Sequence, residues 1–248
     1  DTSKYRGEIK IMGEDLNKMI RELKSMEVMN EDFISNVSHE FKAPLTAIQG
    51  YVTLLSNPAI SSRQKDEYFE LMTQSTRQLS DLVENVLKLS RLDSQNIIQQ
   101  SEKFRLDEQL RRTILMYEKQ WSEKNLELEP ELPRCEYIGN EKLLNQIWIN
   151  LIGNAVKFTD DGGKIVISID DSKEDAIEVT VSDTGEGMTE EVQRHIFERF
   201  YQGDTSRKSQ GNGVGLAIVK KIADLTDCEI SVKSEPGKGS SFTVTLKR

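Results

Sequence analysis

Along the first part of the chain, apolar side chains recur every three or four positions, the spacing of a single helical stripe. Ile9, Met12, Leu16, Met19, Ile20 and Leu23 are spaced like a coiled-coil seam within a charged stretch over 1–25. Phe33, Val37, Phe41, Leu45 and Ile48 continue the stripe to about Ser56, where Asn57-Pro58 marks a break. A second helix is expected over Ser62–Asp93, with Leu71, Ser75, Leu79, Leu82, Val86 and Leu89 on one face. Two long amphipathic helices joined by a short loop predict an antiparallel hairpin over 26–95. Each helix has one apolar stripe, and pairing two hairpins into a four-helix bundle would cover both stripes. Packing of the hairpin on the rest of its own chain is the alternative.

After a polar stretch read as a linker over 96–102, the pattern over 103–248 turns to mixed elements. Helices are expected at Asp107–Lys124, Asn140–Phe158 and Val214–Leu225, and a strand at Leu126–Glu129. Strict alternation in GKIVISID and AIEVTVSD predicts a pair of adjacent strands. CEISVKS and SFTVTL form two more around the turn EPGKG. The expected class is α+β: a long helical hairpin forming a dimeric four-helix bundle, then an α/β sandwich with helices on one side of its sheet.

Composition narrows the function classes. The 248 residues carry a net charge of −9, which argues against a general nucleic-acid binder, since that would need a basic face. No apolar run is long enough to span a bilayer, so no membrane contact is expected from this stretch itself. Cys135 and Cys228 are far apart and lack metal-type spacing, which fits a reducing compartment. The chain opens inside helical sequence, as a piece cut from a longer protein would.

Candidate chemistry begins at His39. It lies two residues from both Val37 and Phe41, so at about 100° per residue it projects roughly 200° from the stripe, toward solvent, with Glu40 beside it. Downstream, Asn150, Asn154 and Lys157 fall at i, i+4 and i+7, a row within about 60° on one helix. Two carboxamides and an ammonium there suit a divalent cation and phosphate oxygens, or else form a plain polar flank. Asp183 ends a strand and is followed by Gly185 and Gly187, where a carboxylate can accept from an exocyclic amine and glycines let backbone approach a flat ring. The bland alternative is an Asp-x-Gly turn. Gly211, Gly213 and Gly215 open a helix whose free N–H groups attract phosphate, although no strand leads into them as a Rossmann fingerprint requires. Phe197, Phe200 and Tyr201 precede a polar run over 202–212 that reads as a lid or as an ordinary loop. Aromatics so spaced are more often core.

Taken together, SHEFKAPLTAI, NLIGNAVKFT, DTGEGM, FERFY, GNGVGLAIV and PGKGSSF occur in an order that resembles the cytoplasmic core of a sensor histidine kinase of the HisKA type. The resemblance covers residues 26–248, and its ATP-binding part is similar to the superfamily shared with gyrase, the ninety-kilodalton heat-shock chaperones and MutL. Residues 6–23 resemble the last helix of a HAMP module, which implies an upstream transmembrane receptor and a cytoplasmic location for this portion. The resemblance implies that His39 takes the γ-phosphoryl group of ATP, with Glu40 as general base, and passes it to an aspartate of a cognate response regulator. It implies a homodimer and the cofactors ATP and Mg2+, with Asn154 holding the metal. Its ATP site would comprise Asn150, Asn154, Lys157, Phe158, Asp183, Gly185, Gly187, Phe200, Tyr201, Gly211, Gly213, Val214, Gly215 and Leu216.

Departures from the family pattern carry expectations of their own. ATP-hydrolysing relatives place a glutamate one turn before the metal asparagine; this chain has Asn150, a poor base, which favours transfer over hydrolysis. Members that dephosphorylate their partner carry Thr or Asn four residues after the histidine; Ala43 stands there, so weak phosphatase activity is expected. Gln202 replaces the usual Arg, with Arg207 or Lys208 as substitutes, while Asn212 and Ser240 replace frequent threonines. Pro44 should bend its helix. Two rival classes remain at this point: an ATPase or serine-directed kinase of the same superfamily, and a non-catalytic dimeric scaffold that binds nucleotide only. His195 reads as a surface residue.

Overall fold

The computed structural model describes residues 35–58, 60–93, 101–203 and 213–248. The expected seam over 1–25, Phe33, most of the linker and the run 204–212 lie outside the described residues. Compactness divides the chain into two units, meeting between Leu82 and Val83 inside a helix.

The first unit is helical. Helix α1 is described over 35–55 and continues through Pro44 without interruption. Helix α2, Ser62–Asp93, begins with a reciprocal cap: Ser61 Oγ accepts from Gln64 N–H at 3.3 Å, and Gln64 Oε1 accepts from Ser61 N–H at 3.0 Å. Tyr51 of α1 stacks on Tyr68 of α2 with ring centroids 5.8 Å apart, as the return of a hairpin requires. Along α2 the expected stripe holds: Ser75, Leu82 and Leu89 are buried and Leu71, Leu79 and Val86 half-buried. Leu45, Val52, Leu54 and Phe69 remain exposed on the hairpin.

The second unit holds a five-stranded mixed sheet and a two-stranded ribbon. The ribbon pairs β1 (Glu102–Arg105) with β3 (Glu136–Gly139); β1 starts on the last residue read as linker, and the sequence pattern anticipated neither strand. The sheet comprises β2 (Glu127–Glu131), β4 (Lys164–Asp170), β5 (Ala176–Asp183), β6 (Glu229–Glu235) and β7 (Gly239–Lys247), in the order β2-β4-β5-β7-β6. Only β2 and β4 run parallel. Register places Ile167, Val181 and Phe242 in one row and Ile169, Val179 and Val244 in the next. This face is buried beneath helices α5 (Glu141–Phe158) and α7 (Gly215–Leu225), and helix α3 (Leu106–Met116) packs on α5. The opposite face is polar, with hydroxyl pairs Thr180–Thr243 at 3.0 Å and Ser182–Ser241 at 2.7 Å across neighbouring strands.

Helix α5 is the centre of the core. Asn140 caps it by accepting from Leu143 N–H at 3.0 Å. Leu144, Ile147, Leu151 and Ala155 are buried as the stripe predicts, and so are Trp148, Ile152 and Val156, so the helix is covered on two sides. The single helix expected over Asp107–Lys124 is two, α3 and α4 (Glu118–Glu123), broken at Tyr117. The Tyr117 hydroxyl donates to the Ile149 carbonyl at 2.8 Å, and a Cβ at Gly153 would stand 2.6 Å from its oxygen. The break thus falls where the chain docks on α5, a contact no local pattern encodes. The last short helix is α6, Glu190–His195, capped by Thr189.

Asp107 anchors the ribbon to α3. It is almost fully buried, takes Arg105 at 2.8 and 2.5 Å, and accepts from Cys135 N–H at 3.1 Å. The Arg105 guanidinium, with help from that N–H, holds the carboxyl down to about 2. A depressed carboxyl stabilises the fold above its ordinary value, near 3.8, and the contribution is lost as pH falls through about 2. Asp107→Asn is therefore expected to destabilise this unit by about 2 kcal/mol at pH 5, with the gap from wild type closing toward pH 2. Denaturant melts across that pH range check this; a pH-independent gap would contradict it.

A cradle between helix α5 and the glycine-bordered loops

Helix α5 presents its polar row beside the start of α7. Asn150 donates to the Gln146 carbonyl of its own helix at 2.7 Å, and its Oδ1 faces Gly215, where a Cβ would stand 2.8 Å away. Asn154 is half-buried, and its carboxamide makes no hydrogen bond among the described residues. Lys157 lies over the Phe158 ring, 4.4 Å from its centroid, and partial burial lowers its ammonium from the usual range. The Glu186 carboxylate partly offsets that shift.

The loop after β5 closes on the same helix end. Asp183 Oδ1 accepts from Gly185 N–H at 2.9 Å and Ser240 N–H at 3.3 Å, while Oδ2 has no donor among the described residues. Burial raises its carboxyl above the usual range, and those two donors oppose the rise. The loop is held down by the β6–β7 hairpin. Gly237 N–H donates to the Glu186 carbonyl at 2.6 Å, and Ser234 Oγ accepts from Met188 N–H at 2.8 Å. Gln193 Nε2 donates to the carbonyls of Met188 and Ser234 at 3.1 and 2.9 Å. Gly187 and Gly239 both have positive φ, and a Cβ at either would fall 1.9 Å from a carbonyl, that of Glu235 or Asp183. A Cβ at Gly185 would fall 2.3 Å from the Phe158 carbonyl. These glycines thus serve backbone-to-backbone packing, where the sequence suggested approach to a ring.

The opposite border is Phe200 and Gly213. Phe200 is buried with φ 63° and donates its N–H to the Gly213 carbonyl at 2.9 Å. Tyr201 packs against His195, 5.4 Å between rings, and His195 Nδ1 is 2.7 Å from Glu198 Oε1. Val214 is buried, Gly215 and Leu216 are half-buried, and Gly211 lies outside the described residues, as do Arg207, Lys208 and Asn212. In the other unit His39 is exposed on α1, Glu40 is half-buried and Ala43 is exposed. Sequence reasoning missed Ser234 and Lys124. Ser234 did leave a signal, a polar residue at an inward position of β6 after Ile230 and Val232; Lys124 left none.

An α/β sandwich with helices on one sheet face and a glycine-bordered cradle, in one chain with a helical hairpin bearing an exposed histidine, defines the class. Residues 29–95 match the His Kinase A (phospho-acceptor) domain, and residues 139–248 match the histidine kinase-, DNA gyrase B- and HSP90-like ATPase family. The chain belongs to the sensor histidine kinases, as the two domains of their core. It is 36% identical to the heme sensor protein HssS of Staphylococcus saprophyticus over 94% of this chain and 50% of that protein. It is 38% identical to drug sensory protein A of Synechocystis, over 91% of this chain and 36% of that one. The chain thus spans half or less of these two relatives. Among solved structures, full-length ShkA in complex with AMPPNP is 28% identical with a TM-score of 0.62, covering 87% of this chain and 45% of that one. The histidine kinase AdeS of Acinetobacter baumannii shares the fold with a TM-score of 0.70 at 23% identity, covering 84% of this chain and 97% of that one.

Proposed function

We propose that this core phosphorylates His39 from ATP and passes the phosphoryl group to an aspartate of a response regulator. The observation that carries this is the exposed His39 on a phospho-acceptor hairpin, encoded with an ATPase-type cradle. The working division is a hairpin over 26–95, a linker over 96–102 and a catalytic domain over 103–248, with 1–25 as the end of a HAMP-like helix.

In the cradle, Asp183 Oδ2 accepts from the adenine amine, the acceptor its two backbone donors leave open. Lys157 and the N–H groups at the start of α7, bordered by Gly211, Gly213, Val214, Gly215 and Leu216, take phosphate oxygens. Phe158, Gly185, Gly187, Phe200 and Tyr201 shape the walls. Among the described residues no group of three or more His, Cys, Asp or Glu is placed to hold a metal ion. A magnesium ion there would draw on phosphate oxygens and water. The unpartnered Asn154 carboxamide fits the one protein ligand that magnesium would need, and the bound ion would neutralise charge on the triphosphate.

At the acceptor, Glu40 holds the Nδ1 proton so that Nε2 keeps its lone pair. Nε2 forms a bond to the γ-phosphorus while the bond to the β-bridging oxygen breaks and ADP leaves. An aspartate carboxylate oxygen of the regulator then attacks the phosphorus and the nitrogen–phosphorus bond breaks. Asn150, committed to Gln146, offers no base for water, which favours transfer over hydrolysis. The structure of ThkA with the response regulator TrrA shows that a histidine kinase of this fold engages such a partner. The exposed apolar side chains Leu45, Val52, Leu54 and Phe69 support a homodimer through the hairpin. Among the described residues no helix is long and apolar enough to cross a membrane; we place this portion on the cytoplasmic side of a membrane-anchored bacterial receptor.

Incubation with γ-labelled ATP tests the reading: the label is expected to be acid-labile and base-stable. Acid-stable label indicates a hydroxyl target, and ATP bound without transfer indicates a scaffold. Ala43 lies one turn beyond His39 on the same exposed face. Its methyl cannot orient water, so dephosphorylation of the phosphorylated regulator in the presence of ADP is expected to be slow and to rise in Ala43→Thr. Equal, brisk turnover in both would defeat this.

A further inference from the structure

We infer that Lys124 is a positioning residue for the ATP cradle. The inference rests on the nucleotide-binding reading above. Four carbonyls at the end of a helix lack intrahelical partners, and α5 ends within the cradle. Ala155 O accepts from both Thr159 N–H at 3.0 Å and Thr159 Oγ1 at 2.6 Å. Phe158 O packs against Gly185. The Lys124 ammonium takes what remains: it donates to Val156 O at 2.9 Å, Lys157 O at 2.8 Å and, just past the end, Thr159 O at 2.8 Å. The Lys124 carbonyl in turn accepts from Gly162 N–H at 2.8 Å, tying down the turn that follows α5. One ammonium, with its three donors all used, therefore caps the negative end of the helix dipole and fixes the turn that carries Lys157 and Phe158.

Lys124 stands at the C-terminal end of α4 and meets Lys157 at that residue's carbonyl. Its effect passes through two contacts. The orientation of the Lys157 backbone sets where the Lys157 ammonium reaches, and the Phe158 carbonyl seats Gly185 beside Asp183.

The test is ATP affinity by calorimetry on the whole chain, at a temperature where circular dichroism shows each variant folded. Lys124→Met is expected to weaken ATP binding about tenfold, and Lys124→Arg, which keeps the cation, to recover most of that loss. In a Lys157→Met background, Lys124→Met is expected to cost no more than about threefold, because its main route is already gone. Asp107→Asn serves as the control for a destabilised fold with an intact cradle. If Lys124→Met melts below the working temperature, Lys124→Gln is measured in its place with the same expectation. Wild type that binds no ATP overturns the nucleotide reading itself. Wild-type binding with an unchanged Lys124→Met, or equal losses in the Lys157 and Lys157→Met backgrounds, overturns the role of Lys124 alone.

Discussion

His39→Gln is expected to reduce incorporation of label from γ-labelled ATP below about 1% of wild type, because a carboxamide has no nucleophilic lone pair to replace the imidazole nitrogen. The substitution is mild for the fold. His39 is exposed on α1, off the stripe formed by Val37, Phe41 and Ile48, so no packing is lost. ATP affinity should be unchanged, since all the candidate nucleotide contacts lie in the other unit. The measurement pairs filter-bound label with a nucleotide titration of the same preparation. Label persisting at wild-type level, with binding intact, would move the acceptor elsewhere. His195 is the other histidine of the chain, but its Nδ1 is engaged by Glu198 and its ring lies against Tyr201, an arrangement that suits the border of the cradle.

Elements with long, regular periodicity are legible in the sequence. Strand β5 falls on the alternating run AIEVTVSD and α2 on the apolar stripe of Ser62–Asp93. Helix α5 begins after its Asn140 cap and ends at Phe158 as the pattern predicts. What was illegible depends on contacts across the chain. Strands β1 and β3 have four residues each, too few to alternate visibly, and exist because they pair with one another. The sequence around Tyr117 contains no Gly or Pro, and the break falls where its hydroxyl docks on the Ile149 carbonyl of α5. The parallel pairing of β2 with β4 is equally hidden, because nothing in ELEPE specifies which strand it joins or in which direction. At the cradle, motif spacing located Asn150, Asp183, Gly187 and Gly215, and the structure brings Asn150 to Gly215 and the Asp183 loop to the end of α5. It could not show that Gly187 and Gly239 make room for carbonyls of neighbouring backbone, or that a lysine more than thirty residues away caps α5. Those roles belong to side chains and carbonyls far apart in sequence that meet in the fold.

Asp183→Asn separates recognition from folding more cleanly than any glycine replacement. A Cβ at Gly239 would collide with the Asp183 carbonyl, so Gly239→Ala disturbs loop, hairpin and ligand site together. In Asp183→Asn the amide oxygen can still accept from Gly185 N–H and Ser240 N–H, so the loop keeps both anchors. The change falls on the other atom. Where Oδ2 would accept from the adenine amine, an amide NH2 now meets that amine donor to donor. Losing a charge-assisted hydrogen bond costs about 1.5–3 kcal/mol, and the opposed donors add to it, so ATP affinity is expected to fall about 100-fold with little change in Tm. Inosine triphosphate presents a carbonyl in place of the amine and can accept from the new NH2. Its affinity relative to ATP should therefore rise in the variant, which a general loosening of the cradle would not produce. Titrations of both nucleotides with wild type and Asp183→Asn decide the matter. If the variant binds ATP within about threefold of wild type, or loses both nucleotides equally, Asp183 does not read the base.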